Sequence, residues 1–174
     1  MRVHIAALGV EFQRYKTLGE GAIAQLDEVD LSRPGPNEGN SVAIIVWHLA
    51  GNLASRYTDF LTTDGEKAWR RRDEEFDRRT VSRAELMTRW NQGFDALERT
   101  LATLTDEDLG REVVIRGETW RVDAALYRSV AHTSYHVGQI VYLAKAFRGA
   151  SWDWLTIPPG QSDAFNTRLR DGSR

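Results

Sequence analysis

The stretch SVAHTSYHVGQIVYLAKA, Ser129 to Ala146, decides how the chain is interpreted. It has the spacing of a helix and carries His132 and His136, four residues apart. Positions i and i+4 of a helix lie on one face about one turn apart, so two imidazoles placed there can reach one metal ion. The same face carries small and apolar residues, namely Ala125, Ser129, Ile140, Leu143 and Phe147. Both histidines are therefore predicted to point into a core.

Two interpretations of this pair remain open from the stretch alone. A histidine on an apolar face is often a core residue whose ring nitrogens find ordinary hydrogen-bond partners. Alternatively, the pair binds a metal ion together with a ligand from another segment. His48 is the candidate third ligand, because it lies within the apolar run VAIIVWHLAGNLA, where an unpaired imidazole would be costly. Three imidazoles that leave coordination positions open are typical of a catalytic metal site.

Composition limits the classes of function. The 174 residues are enough for one domain with a substantial core, and 41% hydrophobic and 28% charged residues are typical of a globular protein. A net charge of -2 argues against nucleic-acid binding, and the absence of cysteine excludes disulfides, thiolate ligands and a cysteine nucleophile. The N-terminus has no signal-peptide pattern, and the longest apolar run, Val42 to Ala50, is too short for a membrane span. We therefore expect a cytoplasmic protein without a membrane partner.

Apolar residues recur at helical spacing in four long segments. The first helix is predicted from His4 to about Val29, followed by a loop rich in turn residues, Ser32 to Asn40. The second helix, capped by Asn40 or Ser41, is predicted to continue to about Thr62. Its first residues are apolar nearly all round, which predicts burial on more than one side.

The second half of the chain predicts two further long helices with a hairpin between them. The third helix is predicted from Ser82, where Glu85 completes a capping box, to near Leu104. Alternating apolar residues in REVVIRGETWRV predict a small β-hairpin. Asp123 is predicted to cap the last long helix, residues 124–148. Four such helices bury their apolar faces most simply as a bundle, which makes the chain all-α and a single domain, residues 1–174.

The charged segment Glu66 to Arg79 connects the second and third helices and allows two interpretations. Charge runs usually face water, so the segment is expected to be a solvated connection. Alternatively, Arg70, Arg71 or Arg72 lies at the mouth of a site and pairs with an anionic group of a ligand.

At this point the sequence resembles the DinB-like (YfiT-like) superfamily of metal-dependent proteins. That superfamily has one histidine in the second helix and a His-x-x-x-His in the fourth, which are matched by His48 and by His132 with His136. Three further segments also look like an uncharacterised branch of that superfamily: TDFLTTDGEKAWRRRDEEF (residues 58–76), SYHVGQ (134–139) and IPPG (157–160). The similarity covers almost the whole chain.

The resemblance implies an antiparallel four-helix bundle with one long crossover, assembled as a homodimer. It also implies a divalent metal ion, zinc or nickel, held by the three histidines. Relatives with known activity are S-transferases that use a low-molecular-weight thiol, or thiol-dependent isomerases, and many members have no demonstrated activity. The expected partners are therefore a small-molecule substrate and a thiol, and a non-enzymatic, stress-linked metal-binding dimer stays an alternative.

The residues around the three histidines narrow the chemistry. Because the chain has no cysteine, the sulfur of an S-transfer must come from a small molecule. The His-Glu-x-x-His pattern of metalloproteases is absent, since Thr133 follows His132. A metal-dependent hydrolase would need a base from elsewhere, for which Asp59 and Glu66 are candidates. Candidates for contact with the metal ligands or the substrate, besides Arg70, lie about one helical turn from a proposed ligand: Asn52, Ser55 and Gln139. They are equally well interpreted as ordinary polar helix positions.

Overall fold

The protein, described over residues 2–172 by a computed structural model, is mostly helical with one small antiparallel hairpin. The prediction of a helical chain with a hairpin before the last long helix is confirmed. The elements are α1 (Val3–Ala24), α2 (Glu28–Ser32), α3 (Val42–Tyr57), α4 (Arg83–Thr103), β1 (Glu112–Ile115), β2 (Glu118–Arg121), α5 (Val122–Arg148) and α6 (Ser162–Arg170). In the described residues, no helix combines the length and the apolar character that crossing a membrane requires.

Local side-chain chemistry sets the starts of the long helices. Ser41 caps α3 by accepting a hydrogen bond from the Ile44 N–H at 3.2 Å. Ser82 and Glu85 form the predicted capping box at α4. The predicted cap of the last helix is wrong by two residues, because α5 begins at Val122 and Asp123 lies inside its first turn. There the carboxylate still accepts from the Ala124 N–H and from Arg121.

Two predicted helices are shorter than their apolar periodicity indicated. The first ends at Ala24, because Asp27 is extended and a separate short helix, α2, follows it. The second ends at Tyr57 and not at Thr62, because Thr58 is extended and Asp59 takes a positive φ of 48°. The apolar pattern continues past both ends because these turns also contribute buried side chains to the core.

Contacts between helix ends define the relative directions of the long helices. Arg2, at the start of α1, donates to Leu104 O at 2.9 Å beyond the end of α4, so α1 and α4 run in opposite directions. Thr100 near the end of α4 donates to Tyr57 O at 2.6 Å at the end of α3, so α3 and α4 run in the same direction. A long connection, residues 58–82, is needed to return the chain to the start of α4.

The core is formed mainly by α1, α3, α4 and α5. Its largest fully buried side chains are Ile5, Phe12, Ile23, Leu26, Leu31, Leu49, Leu53, Leu86, Trp90, Phe94, Leu97 and Leu104. The helices α3 and α4 approach closely where Gly93 faces Ala50. A Cβ on Gly93 would lie 2.6 Å from the Ala50 Cα, so only glycine permits this approach.

The connection 58–82 and the hairpin are joined at one end of the helices. The Asp64 carboxylate accepts from the backbone N–H groups of Arg116 and Gly117, at 2.8 and 2.7 Å. These two residues form the hairpin turn, both with positive φ, as a two-residue turn between right-twisted strands requires. Gly65 N–H also donates to Val114 O at 2.8 Å. The joined segments lie beside the C-terminal half of α3 and the N-terminal half of α5.

Candidate metal centre

The structure brings the three predicted ligands together in the core. His48 on α3 faces His132 and His136, which lie one turn apart on α5, and one ring nitrogen from each lies within 4.8 Å of the others. The Nε2 atoms of His48 and His132 are 3.3 Å apart. This group can hold a metal ion, as the pattern of histidines predicts.

The geometry of the nitrogens fits a divalent metal. Two imidazole ligands about 2.0–2.1 Å from a tetrahedral zinc lie roughly 3.3 Å from each other, the same spacing as the two Nε2 atoms. Within residues 2–172, the buried Nε2 of His136 has no hydrogen-bond partner, and neither has Nδ1 of His132. An unpaired buried nitrogen is costly, so the missing partner of His136 Nε2 is one that a metal ion would supply.

The electrostatic environment keeps two of the rings neutral. Burial, together with the neighbouring His136 and His48, lowers the pKa of His132 to about 3. Burial likewise lowers the pKa of His136 to about 4, although the hydrogen bond with Gln139 opposes this shift. Neutral imidazoles are the form that binds metal ions, so at pH 7 the site is ready for a cation.

Hydrogen bonds to Nδ1 orient two of the three rings. His48 Nδ1–H donates to Glu75 Oε2 at 2.9 Å, and His136 Nδ1–H donates to Gln139 Oε1 at 2.9 Å. With the proton on Nδ1, the lone pair is on Nε2, the atom that faces the centre of the group. Gln139, predicted from its spacing, therefore contacts a candidate ligand.

Glu75 is fixed in turn by Arg70. The Arg70 guanidinium donates Nε–H to Glu75 Oε1 at 2.8 Å and Nη2–H to Oε2 at 2.9 Å, a bidentate pair with side chains only 1% and 5% exposed. Burial by itself raises the pKa of Glu75, but hydrogen bonds from His48 and Arg70 outweigh it and hold that pKa below its usual value. The result is a buried carboxylate that stays ionised against His48.

Glu75 was not among the residues predicted from the sequence. The expectation of a solvated connection over Glu66 to Arg79 is wrong for Arg70 and Glu75, which are both buried. Arg70 does line a cavity beside the histidines, but its hydrogen bonds go to the protein's own Glu75 and Glu66. The signal in the sequence was Gly51, one turn after His48, since a Cβ there would overlap Glu75 Oε1.

A cavity of about 210 Å³ opens beside His48 and His132 and gives access to the centre. Of the other predicted residues, Asn52 lines this cavity. Ser55 is buried and holds the connection in place, donating to Gly65 O at 2.8 Å and accepting from Lys67 N–H at 3.0 Å. Asp59 is exposed in the turn after α3 and does not belong to the lining of the cavity. The structure therefore gathers Asn52, Arg70 and Gln139 at the centre, and places Ser55 and Asp59 away from it.

Comparison with known proteins gives one result. The family model described as "Protein of unknown function (DUF1572)" matches residues 2–161, nearly the whole chain. Comparison with curated proteins and with solved structures finds no match.

Proposed function

The chain belongs to the family described as "Protein of unknown function (DUF1572)", and on that premise we propose that it is a divalent-metal-binding protein that catalyses thiol-dependent S-transfer to small electrophiles. The observation that carries the proposal is the convergence of three imidazole nitrogens next to an open cavity. Zinc or nickel suits a set of three imidazole ligands.

For the arrangement of the helices, we propose the fold that the family resemblance implies. The four long helices form an antiparallel four-helix bundle of the DinB-like type, a single domain in which residues 58–82 are the long crossover. Support comes from the opposite directions of α1 and α4 and the common direction of α3 and α4. In this arrangement the ligands come from two different helices, α3 and α5.

Each residue of the centre has a role in the proposed chemistry. His48, His132 and His136 would hold the ion, while Glu75 and Gln139 keep the ligand nitrogens aimed at it. A divalent ion there supplies a Lewis acid, which lowers the pKa of a bound thiol or water. The reaction forms a C–S bond between the thiol and the electrophile, releases the thiol proton to solvent, and expels the leaving group with its electron pair. The chain has no cysteine, so the thiol is a small molecule.

The lining of the cavity favours transfer over hydrolysis. A hydrolase needs a free carboxylate or similar base near the reacting atom. In the described part of the chain, no aspartate or glutamate lines the cavity. Glu66 and Glu75 are not among its lining residues, and both are already bound to arginines. The hydrolase alternative therefore has no free carboxylate base beside the centre. A coordinated thiol, which is deprotonated outright, depends less on such a base than a metal-bound water with a pKa of about 7.

A non-enzymatic metal-binding homodimer is the second candidate. Exposed tyrosines on α5, Tyr127, Tyr135 and Tyr142, recur every seven or eight residues and so follow one side of the helix. A dimer formed through this side of α5 could bind metal without catalysing a reaction. Sedimentation equilibrium of the wild type and of Tyr142→Ser tests the assembly, which the substitution should weaken if α5 forms the interface.

Two measurements test the proposed function. Protein purified without a histidine tag or chelator should hold one equivalent of zinc or nickel, and added metal should raise the melting temperature of metal-stripped protein. Conjugation of monochlorobimane to bacillithiol, mycothiol or glutathione should then proceed with wild type and fail with His48→Ala. Activity that survives in His48→Ala would contradict the mechanism, and failure to bind either metal would contradict the site.

A further inference from the structure

The cavity beside the histidines has an unusual charge. Its lining includes five arginines, and within residues 2–172 it includes no acidic residue. The net charge of the whole chain is -2, so this positive charge is a local property and does not follow from composition. The arginines are Arg56, Arg70, Arg72, Arg116 and Arg128.

Three of these arginines are already paired with carboxylates of the protein, and one of them is Arg72, whose Nη1 lies 3.5 Å from Asp73 Oδ1. Arg70 is paired with Glu75 and Glu66, and Arg116 donates Nε–H to Glu66 at 3.1 Å. Neither Arg56 nor Arg128 takes part in a salt bridge among the described residues. Arg128 lies with its guanidinium 5.0 Å from the centre of the Trp120 ring, which holds the charge in place without neutralising it. Two positive charges are therefore available at the cavity.

Arg56 is the more informative of the two. Its Nη1 is buried, and no hydrogen-bond acceptor for it exists in the part of the chain that the structure describes. The guanidinium packs against Gly65, where a Cβ would lie 3.0 Å from Nη1, so the group has little room to turn away. Burial lowers the pKa of Arg56, and the charges of Arg70, Arg116 and Arg128 add to this effect against the opposing charge of Glu66. A buried cationic donor without an acceptor is costly unless a ligand supplies the acceptor.

The remaining walls indicate the size and character of that ligand. Tyr57, Phe60 and Ile115 give the cavity apolar sides, and His132 and His48 lie at its inner end. A volume of about 210 Å³ suits a small organic molecule and not a polymer.

We propose that this cavity binds a small organic anion, with its carboxylate or phosphate group on Arg56 and Arg128 and its apolar part directed toward the three histidines. The inference rests on the proposed function in one respect, because it identifies the electrophilic substrate as such an anion. Guanidinium groups bind both carboxylates and phosphates through paired hydrogen bonds, so the two groups share the same recognition.

Isothermal titration of metal-stripped protein at low salt tests the proposal independently of catalysis. The probes are benzoate and phenyl phosphate, with benzyl alcohol as the neutral counterpart of similar size. At least one anion should bind, more weakly as salt increases, and benzyl alcohol should not. The anion that binds more tightly identifies the group that the site prefers. Absence of binding by both anions at millimolar concentration, or equal binding by benzyl alcohol, overturns the proposal.

Three variants locate the anion. Arg56→Met and Arg128→Met should each weaken binding by about tenfold or more, because each removes charged hydrogen bonds. Arg14→Met, which changes an exposed arginine on α1, should leave binding unchanged. If Arg56→Met does not fold, Arg128→Met decides the result, because Arg128 is exposed. Wild-type affinity in the folded variants overturns the proposal.

The proposal and the proposed function fail in different ways. Zinc binding is measured on the same samples by titration with a chromophoric chelator. Protein that binds zinc but neither anion retains the metal centre and excludes the anion site. Protein that binds an anion through Arg56 but no zinc retains the anion site and excludes the metal chemistry.

Discussion

Glu75 Oε2 accepts a hydrogen bond from His48 Nδ1 at 2.9 Å, so the connection between α3 and α4 contacts a candidate metal ligand directly. Arg70 donates to both oxygens of the same carboxylate. Histidine ligands of metal ions usually donate their second ring N–H to a carboxylate or a carbonyl. The contact therefore explains why a charged residue of the connection is buried in the core.

Replacing Glu75 with glutamine should weaken metal binding. Glu75→Gln keeps the size of the side chain but removes the charge that orients His48 and balances Arg70, so we expect zinc affinity to fall by roughly 10- to 100-fold. The free energy of unfolding should also fall, by at most about 3–5 kcal/mol, because the buried Arg70 keeps only the partly exposed Glu66 as a partner. The exposed neighbour Glu74, changed to glutamine, is the control and should bind zinc normally. Equal affinities in the two variants would contradict the role of Glu75.

Gly51→Ala should disturb the contact between Glu75 and His48 from the side of α3. A Cβ at this position would overlap Glu75 Oε1, so the carboxylate must move away from His48. Overpacking of this kind costs about 1–3 kcal/mol, which exceeds the gain of about 1 kcal/mol from alanine in a helix. Chemical unfolding and zinc titration measure both effects.

Gly138→Ala on α5 is the matched control for Gly51→Ala. Gly138 is exposed, and no described atom lies within 4 Å of a Cβ placed there. The substitution should therefore stabilise the protein by about 1 kcal/mol and leave zinc affinity unchanged. A stabilised Gly51→Ala would show that the connection adapts without cost.

Gly93→Ala should affect the fold without affecting the metal ligands. Its Cβ would lie 2.6 Å from the Ala50 Cα, which separates α3 from α4. We expect a loss of about 1–3 kcal/mol in the free energy of unfolding. Metal-stripped protein should still bind one equivalent of zinc, since the three histidines come from α3 and α5. Loss of zinc binding in a folded Gly93→Ala variant would show that the α3–α4 spacing also sets the site.

The metal-free protein should lose stability as pH falls below about 6.5. In the folded state the pKa of His132 is lowered to about 3 and that of His136 to about 4, whereas both titrate near 6.5 in the unfolded chain. Between these values the unfolded state binds more protons, so the free energy of unfolding decreases with falling pH. Urea unfolding of chelator-treated protein over this range measures the slope.

The double variant His132→Gln/His136→Gln isolates the contribution of the two histidines. It should show a shallower pH dependence than wild type, and the exposed His4→Gln should match wild type. Identical slopes in wild type and the double variant would contradict the burial of neutral imidazoles.

The parts of the fold that were predictable from sequence depend on short-range rules. The capping box of Ser82 and Glu85 was predicted because both residues lie within one turn and interact directly. The meeting of His132 and His136 follows from helical spacing alone. The end of α1 was predicted too late, because Leu26 and Leu31 remain buried beyond it and continue the apolar pattern.

The contact between His48 and Glu75 was not predictable in this way. The two residues are 27 positions apart, and the connection that carries Glu75 has no regular periodicity to fix which side chain points inward. The stretch offers several acidic residues, and only the packing against Gly51 distinguishes one of them. The high charge of the connection predicted that it faces solvent, because composition does not show which charged residues pair with each other and become buried.

The attachment of Glu75 to His48 makes the order of the connection and the affinity for metal thermodynamically linked. Any ion that favours the oriented His48 ring also favours the folded position of residues 70–76, and should protect their amides from hydrogen exchange. If the metal changes the affinity of this segment for a molecule bound to its outer face, that molecule must change the affinity for the metal by the same factor. A molecule that binds the crossover can thus change the affinity of the centre for metal without itself contacting the histidine ligands.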